Sequence, residues 1–254
     1  MAKPYDQIVL FGDSLFQGSS NIQDGFSFQG ALQHLCMRGL DVINRGFSGY
    51  NTNNALELLP DIFLPPSPTT PRIKYLLVLL GANDACLPIP TSSQGVPIDQ
   101  YKENLIKIVT HEHIRSHSPT ILLVTPPPLD EVQGSITDRQ HGHMEPVRRS
   151  AVSARYSQTA REVAAEVPGV VLIDLQKALM EKGISMTPDY DPSGPLLGSL
   201  ERGDSGGLKR LLPDGLHMSG EAYRVFFEIV KPHIKLPTNF YVYPDWRIMN
   251  PGNI

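Results

Sequence analysis

Five short apolar runs punctuate the chain, at Ile8 to Phe11, Asp41 to Asn44, Lys74 to Leu80, Thr120 to Val124 and Val170 to Leu175. They are rich in Val, Ile and Leu and lack a strict apolar/polar alternation, which predicts strands buried on both faces. Between them lie longer segments with helical spacing: Phe28 to Met37, Asn53 to Phe63, Asp99 to Ile114 and Arg148 to Val167, with a last helix predicted over Glu221 to Ile234. In the third of these, Tyr101, Leu105, Ile108 and Val109 share one face while Lys102, Glu103 and Lys107 fall elsewhere. Such a stripe packs on a sheet. Strands alternating with helices build parallel βαβ units with right-handed crossovers, so the expected class is α/β, doubly wound. Prolines cluster at 64–71, 87–97, 126–128 and 186–195, which marks loops. No internal repeat and no low-complexity linker divides the sequence, and one domain over residues 1–254 is expected, with 237–254 as a C-terminal extension.

In open sheets of this class ligands bind beyond the carboxyl ends of the strands. The residues there are polar and unusual. Gly12, Asp13, Ser14 and Leu15 follow the first run; Arg45, Gly46, Phe47, Ser48 and Gly49 follow the second; Gly81, Ala82, Asn83 and Asp84 follow the third. Pro213 to Ser219 precedes the last helix, with Ser219 as its expected N-cap.

A serine attacks an ester carbonyl only when a base removes its proton and donors await the oxyanion that forms. Ser14, at a strand-to-helix turn, is the candidate nucleophile, and its own N–H is a candidate donor. His217 can reach back over the strand ends as general base and then general acid. Asp214, on an Asp-Gly turn, can hold the other ring nitrogen and fix the tautomer. Asn83 offers an amide donor, and a glycine after the second strand offers an unobstructed N–H. Each residue also has an ordinary use as a turn, cap or satisfied core group; their convergence on one rim favours chemistry. Asp13 and Asp84 are expected to shape turns by hydrogen bonding and to transfer no proton.

The segment Phe11-Gly12-Asp13-Ser14-Leu15 resembles the signature of the GDSL, or SGNH, hydrolases. Gly81-Ala82-Asn83-Asp84 and Asp214-Gly215-Leu216-His217 match further blocks in order, so the resemblance spans most of the chain. It implies a flavodoxin-like three-layer sandwich with a five-stranded, mostly parallel sheet, a Ser-His-Asp triad of Ser14, His217 and Asp214, and an oxyanion hole of serine N–H, glycine N–H and asparagine side chain. Asn44 to Tyr50 looks most like the isoamyl acetate-hydrolysing esterase branch. Gly49 matches the donor glycine best, with Gly46 as the alternative. The implied activity is hydrolysis of short-chain carboxylic esters through an acyl-enzyme. Acetylated sugars and lysophospholipids are the family's other substrates, and a non-catalytic binding module is the third reading.

Two other motifs compete. Gly203-Asp204-Ser205-Gly206-Gly207 reads like the nucleophile segment of a chymotrypsin-like protease, but that fold is two antiparallel barrels with histidine and aspartate upstream of the serine. Ser205 is therefore expected in a flexible surface loop that edges the cleft. His111-Glu112-His113 and His141-Gly142-His143 suggest a metal, yet His-x-His on a helix points the rings about 200° apart. His141 and His143 are expected to be solvated in a polar loop. The serine mechanism calls for no metal and no cofactor.

Composition narrows the partners. Against 22 Lys and Arg stand 26 Asp and Glu, a formal charge of −4 without any basic run, so a nucleic acid partner is not expected. Phe16, Phe47, Tyr50, Leu87, Ile89 and Met218 neighbour the candidate catalytic residues and suggest an apolar substrate lining for a small uncharged ester. No Lys or Arg sits beside Ser14, and among the blocks at the strand ends Arg45 is the nearest exception. Cys36 and Cys86 form no disulfide framework, no apolar stretch reaches membrane-span length, and the start lacks a secretory signal; a cytoplasmic location is expected. The tail from Pro237 to Trp246 concentrates aromatic residues and is expected to contact a second copy, giving a homodimer.

Overall fold

The computed structural model describes residues 5–236 and Gly252. The aromatic tail, and the dimer expected from it, lie outside them. The apolar runs form five strands: β1 (Asp6–Gly12), β2 (Leu40–Gly46), β3 (Ile73–Leu79), β4 (Thr120–Val124) and β5 (Val170–Ile173). They make one sheet in the order β2-β1-β3-β4-β5 with every neighbouring pair parallel. This is the flavodoxin-like order, whose switch point lies between β1 and β3.

The helices in chain order are α1 (Ser14–Gln17), α2 (Phe28–Leu35), α3 (Thr52–Ile62), α4 (Ile98–Thr110), α5 (Glu112–Arg115), α6 (Glu131–Gln140), α7 (Ser150–Glu166), α8 (Leu175–Ser185), α9 (Leu208–Leu211) and α10 (Gly220–Val230). They cover both faces. Ile8 and Leu10 of β1 point into a core with residues of α2, α8 and α10; Val9 and Phe11 point into the other, with residues of α3, α4 and α7. Alternate residues of a strand face opposite ways, so one continuous apolar run serves both cores. Phe28 stacks on Phe226 at 4.4 Å between centroids, with Phe16 against both. Each such side chain, removed from water, contributes roughly 1.5–3 kcal/mol.

Several predicted boundaries move for local reasons. The helix expected over Asp99 to Ile114 is two, because His111 leaves helical geometry (φ −57°, ψ 133°) and its Nδ1 accepts the His113 N–H at 3.2 Å. β5 stops at Ile173 because the Asp174 carboxylate caps α8, accepting the Lys177 N–H. α10 ends at Val230 and passes into a tighter turn that contains Pro232. Among the described residues, no helix is long and apolar enough to cross a membrane.

Candidate active site

Ser14 stands one residue past the Asp13 cap that joins β1 to α1, where the Asp13 carboxylate accepts the Leu15 N–H at 2.9 Å. The loop from α9 to α10 comes back over this edge. It is tied down on three sides: Thr137 Oγ1 of α6 donates to the Asp214 carbonyl at 3.0 Å, the Asp130 N–H donates to the Gly215 carbonyl at 2.9 Å, and the Tyr223 hydroxyl of α10 donates to the Leu15 carbonyl at 2.6 Å. These ties bring the ends of the chain together. Ser14 Oγ lies 2.9 Å from His217 Nε2, and His217 Nδ1 lies 2.6 Å from Asp214 Oδ2. The other Asp214 oxygen accepts the backbone N–H groups of Leu216 and His217.

This geometry sets charge states. Burial works to raise the Asp214 carboxyl, but hydrogen bonds from the His217 ring and two backbone N–H groups overcome it and hold the group down at about 2. His217 is raised above its ordinary value, chiefly by its bond to Asp214. Beneath them Asp13 is fully buried and pushed up to about 7 by desolvation. Asp84, also buried, accepts from the Thr52 N–H and hydroxyl; burial still raises it to about 6. Asp13 and Asp84 thus fasten the starts of α1 and α3 to the strand ends.

The glycine that ends β2 and the one three residues beyond it separate clearly. The Gly46 N–H is consumed by Asn44 Oδ1 at 2.9 Å, and a Cβ there would run into the backbone of Gln17. Gly49 sits at φ +81°, a conformation that favours glycine, and Gln94 Nε2 donates to its carbonyl at 2.9 Å. Among the described residues, the N–H groups of Ser14 and Gly49 take no protein acceptor. Asn83, 4% exposed, donates one Nδ2 hydrogen to the Tyr50 carbonyl at 2.9 Å, and the amide has a second to give.

A cleft of about 410 Å³ opens beside Asp214 and His217. Its polar lining residues are Thr91, Ser92 and Ser93 from one loop, Ser135 and Thr137 from α6, and His141, His143 and Arg148, alongside apolar Leu129, Val147 and Leu216. The sequence reading of the substrate lining needs correction at Phe16 and Met218. Phe16 and Met218 are 0% and 1% exposed and belong to the core. Phe16 is two residues past Ser14 in α1, about 200° around the helix, so it turns inward when Ser14 turns outward. Phe47 and Tyr50 stack at 5.2 Å between centroids, half-buried, and the Tyr50 carbonyl accepts from Asn83.

His141 is exposed and His143 half-exposed in the turn and loop after α6, as expected, and both also line the cleft, His143 Nδ1 being 2.7 Å from Thr91 Oγ1. The segment around Ser205 is a loop with Gly203 and Asp204 exposed, but the serine itself is buried and its hydroxyl donates to Asp130 at 2.9 Å. Arg45 is exposed, and Arg148 is the cation of the cleft. His113 and His117 bond the carbonyls of Phe63 and Leu64, and His117 accepts the N–H of Ile73 at the start of β3, the opposite end of the sheet. Among the described residues, no cluster of His, Cys, Asp and Glu has the makings of a metal site.

Comparison with known proteins agrees with this layout. Residues 10–225 match the model of the GDSL-like lipase/acylhydrolase family. The chain belongs to that family. A GDSL esterase/lipase of Arabidopsis thaliana is 34% identical over 88% of this chain and 83% of its own length. The isoamyl acetate-hydrolyzing esterase of Saccharomyces cerevisiae is 28% identical over 96% and 94%. Among solved structures, an acetyl xylan esterase superposes with a TM-score of 0.62 at 17% identity, covering 90% of this chain and all of its own, a likeness of fold. The GDSL member described here is therefore an esterase or acylhydrolase, with the strand ends of a flavodoxin-like sheet available for its chemistry.

Proposed function

We propose that this chain is a serine esterase that cleaves short-chain carboxylic esters, acetate esters first, through an acyl-enzyme on Ser14. The observation that carries the reading is the unbroken relay from Ser14 Oγ to His217 Nε2 at 2.9 Å and from Nδ1 to Asp214 at 2.6 Å. Asp214, ionised and bonded to Nδ1–H, leaves Nε2 as the lone-pair nitrogen facing the hydroxyl. Ser14 Oγ attacks the ester carbon as its proton passes to Nε2. The negative charge that develops on the carbonyl oxygen is met by the Ser14 and Gly49 N–H groups and the second Nδ2 hydrogen of Asn83. Collapse expels the alcohol, which takes its proton from the imidazolium. Water, deprotonated by the same ring, then releases the acid and restores Ser14. The half-buried serine and exposed histidine leave the reacting edge open to a small ester.

Similarity to a chain named for isoamyl acetate hydrolysis supports simple acetates as substrates. One observation favours a second reading, a deacetylase acting on a hydroxylated alcohol: the hydroxyl-bearing residues Thr91, Ser92, Ser93, Ser135 and Thr137 line the same cleft. A leaving-group series decides. The first reading expects kcat/KM for isoamyl acetate to exceed that for an acetylated monosaccharide, and the reverse order selects the second.

A further inference from the structure

We infer that Arg148 is a positioning residue that sets the direction and strength of the Asn83 amide donor; this rests on the esterase reading above. Arg148 lies just before α7, far in sequence from the other site residues. Its guanidinium is forked against the loop after β3: Nε donates to the Ala82 carbonyl at 2.7 Å and Nη2 to Asn83 Oδ1 at 2.9 Å. A guanidinium only donates, so the Asn83 group that faces it must be the oxygen. On its other side Asn83 Nδ2 donates to the Tyr50 carbonyl at 2.9 Å, and an acceptor there requires the NH₂. Reversing the amide would set donor against donor at Arg148 and oxygen against oxygen at Tyr50. Two fixed partners therefore hold one amide orientation in a buried position, and the remaining Nδ2 hydrogen is aimed without rotational freedom.

The same arrangement has an electrostatic effect. A cation bonded to Oδ1 draws electron density through the amide and strengthens its N–H as a donor. Among the described residues, no carboxylate lies within ion-pair distance of Arg148, and its head lines the cleft with Asp214 and His217. The charged groups that act on His217 are thus Asp214 and Asp13, which favour the imidazolium, and Arg148, which opposes it.

The test uses Arg148→Met, Arg148→Lys and Asn83→Ala in the full chain, assayed with p-nitrophenyl acetate across pH, with phosphonate labelling of Ser14 to count competent sites. Arg148→Met is expected to lower kcat about 10- to 100-fold with KM within about threefold. Its acid limb should move to higher pH, since the cation that opposes protonation of His217 is gone. Arg148→Lys keeps a charge but cannot fork, so it should lose kcat while its limb stays near that of the wild type. In the Asn83→Ala background, Arg148→Met should cost less than about threefold more. Wild-type kcat in both Arg148 variants, or the same loss with and without Asn83, overturns the inference. If Arg148→Met does not fold, the lysine variant alone carries the decision. Failure of the underlying esterase reading looks different: Ser14→Ala would keep the activity.

Discussion

Gly12-Asp13-Ser14 and Gly203-Asp204-Ser205 are the same tripeptide in two places, and the aspartate makes the same local contact in both, although Gly12 ends a strand and Gly203 sits in a turn at φ +70°. In each the aspartate turns one oxygen onto the N–H two residues ahead, Leu15 for Asp13 at 2.9 Å and Gly206 for Asp204 at 2.8 Å. Beyond that turn they part. The first lies at the end of β1, beside the switch point of the sheet, and Ser14 Oγ meets an imidazole held there by α6 and α10. The second lies between α8 and α9, and Ser205 meets the Asp130 carboxylate that caps α6. A shared turn therefore sets the shape of the motif, and the element on its far side decides whether the hydroxyl faces a base or a buried acceptor.

The largest expected effect breaks the pair apart. Ser14→Ala should lower kcat for p-nitrophenyl acetate by roughly 10³-fold or more, whereas Ser205→Ala should leave it within about twofold. A comparable loss at Ser205 would reverse the assignment. Next, Asp214→Asn should cost about 10²- to 10⁴-fold in kcat/KM. It should also move the acid limb: His217 must be neutral to accept the serine proton, Asp214 raises its pKa, and removing that carboxylate shifts the limb to lower pH. A pH–rate profile with an unmoved limb would contradict the Asp214 role. Gly49→Ala sharpens the first motif's dependence on its neighbours. It places a Cβ at φ +81°, a strain of about 1–2 kcal/mol, and should lower kcat about 10- to 100-fold.

Much of this was legible in the residues because the signals were local. Thr120–Val124 is read from apolar content alone, and the four polar clusters fall at strand ends because buried parallel strands place their loops on one rim. What escaped was what long-range folding decides. Arg148 lies well over a hundred positions from Ser14, and no local pattern couples it to Ala82 and Asn83. α6 has little amphipathic contrast, so Ser135 and Thr137, which line the cleft, left no periodic signature. Phe16 and Met218 sit next to catalytic candidates in sequence, yet adjacency along a helix or turn sends neighbours to different sides. The burial of Ser205 depends on Asp130, a partner 75 positions away that a Gly-rich segment does not disclose.

Two smaller effects extend the comparison to stability. Ser205→Ala should cost about 1–2 kcal/mol in urea unfolding, because Asp130 loses its hydroxyl donor in a buried setting, while Ser14→Ala at the half-buried rim should cost less. Asp13 is the reverse of the usual carboxylate: its folded pKa, about 7, lies above the ordinary value of 3.8. The folded chain then holds an extra proton between those values, and its stability declines from this source as pH rises from 3.8 to about 7. Asp13→Asn keeps an acceptor for the Leu15 N–H and lacks that decline, so Tm measured against pH should fall less steeply in the variant.

Intact-protein mass spectrometry after treatment with an organophosphonate, followed by peptide mapping, tests the central claim most directly. One adduct per chain is predicted, on the peptide bearing Ser14, retained in Ser205→Ala and lost in Ser14→Ala. An adduct that survives Ser14→Ala, or maps to Ser205, would contradict it.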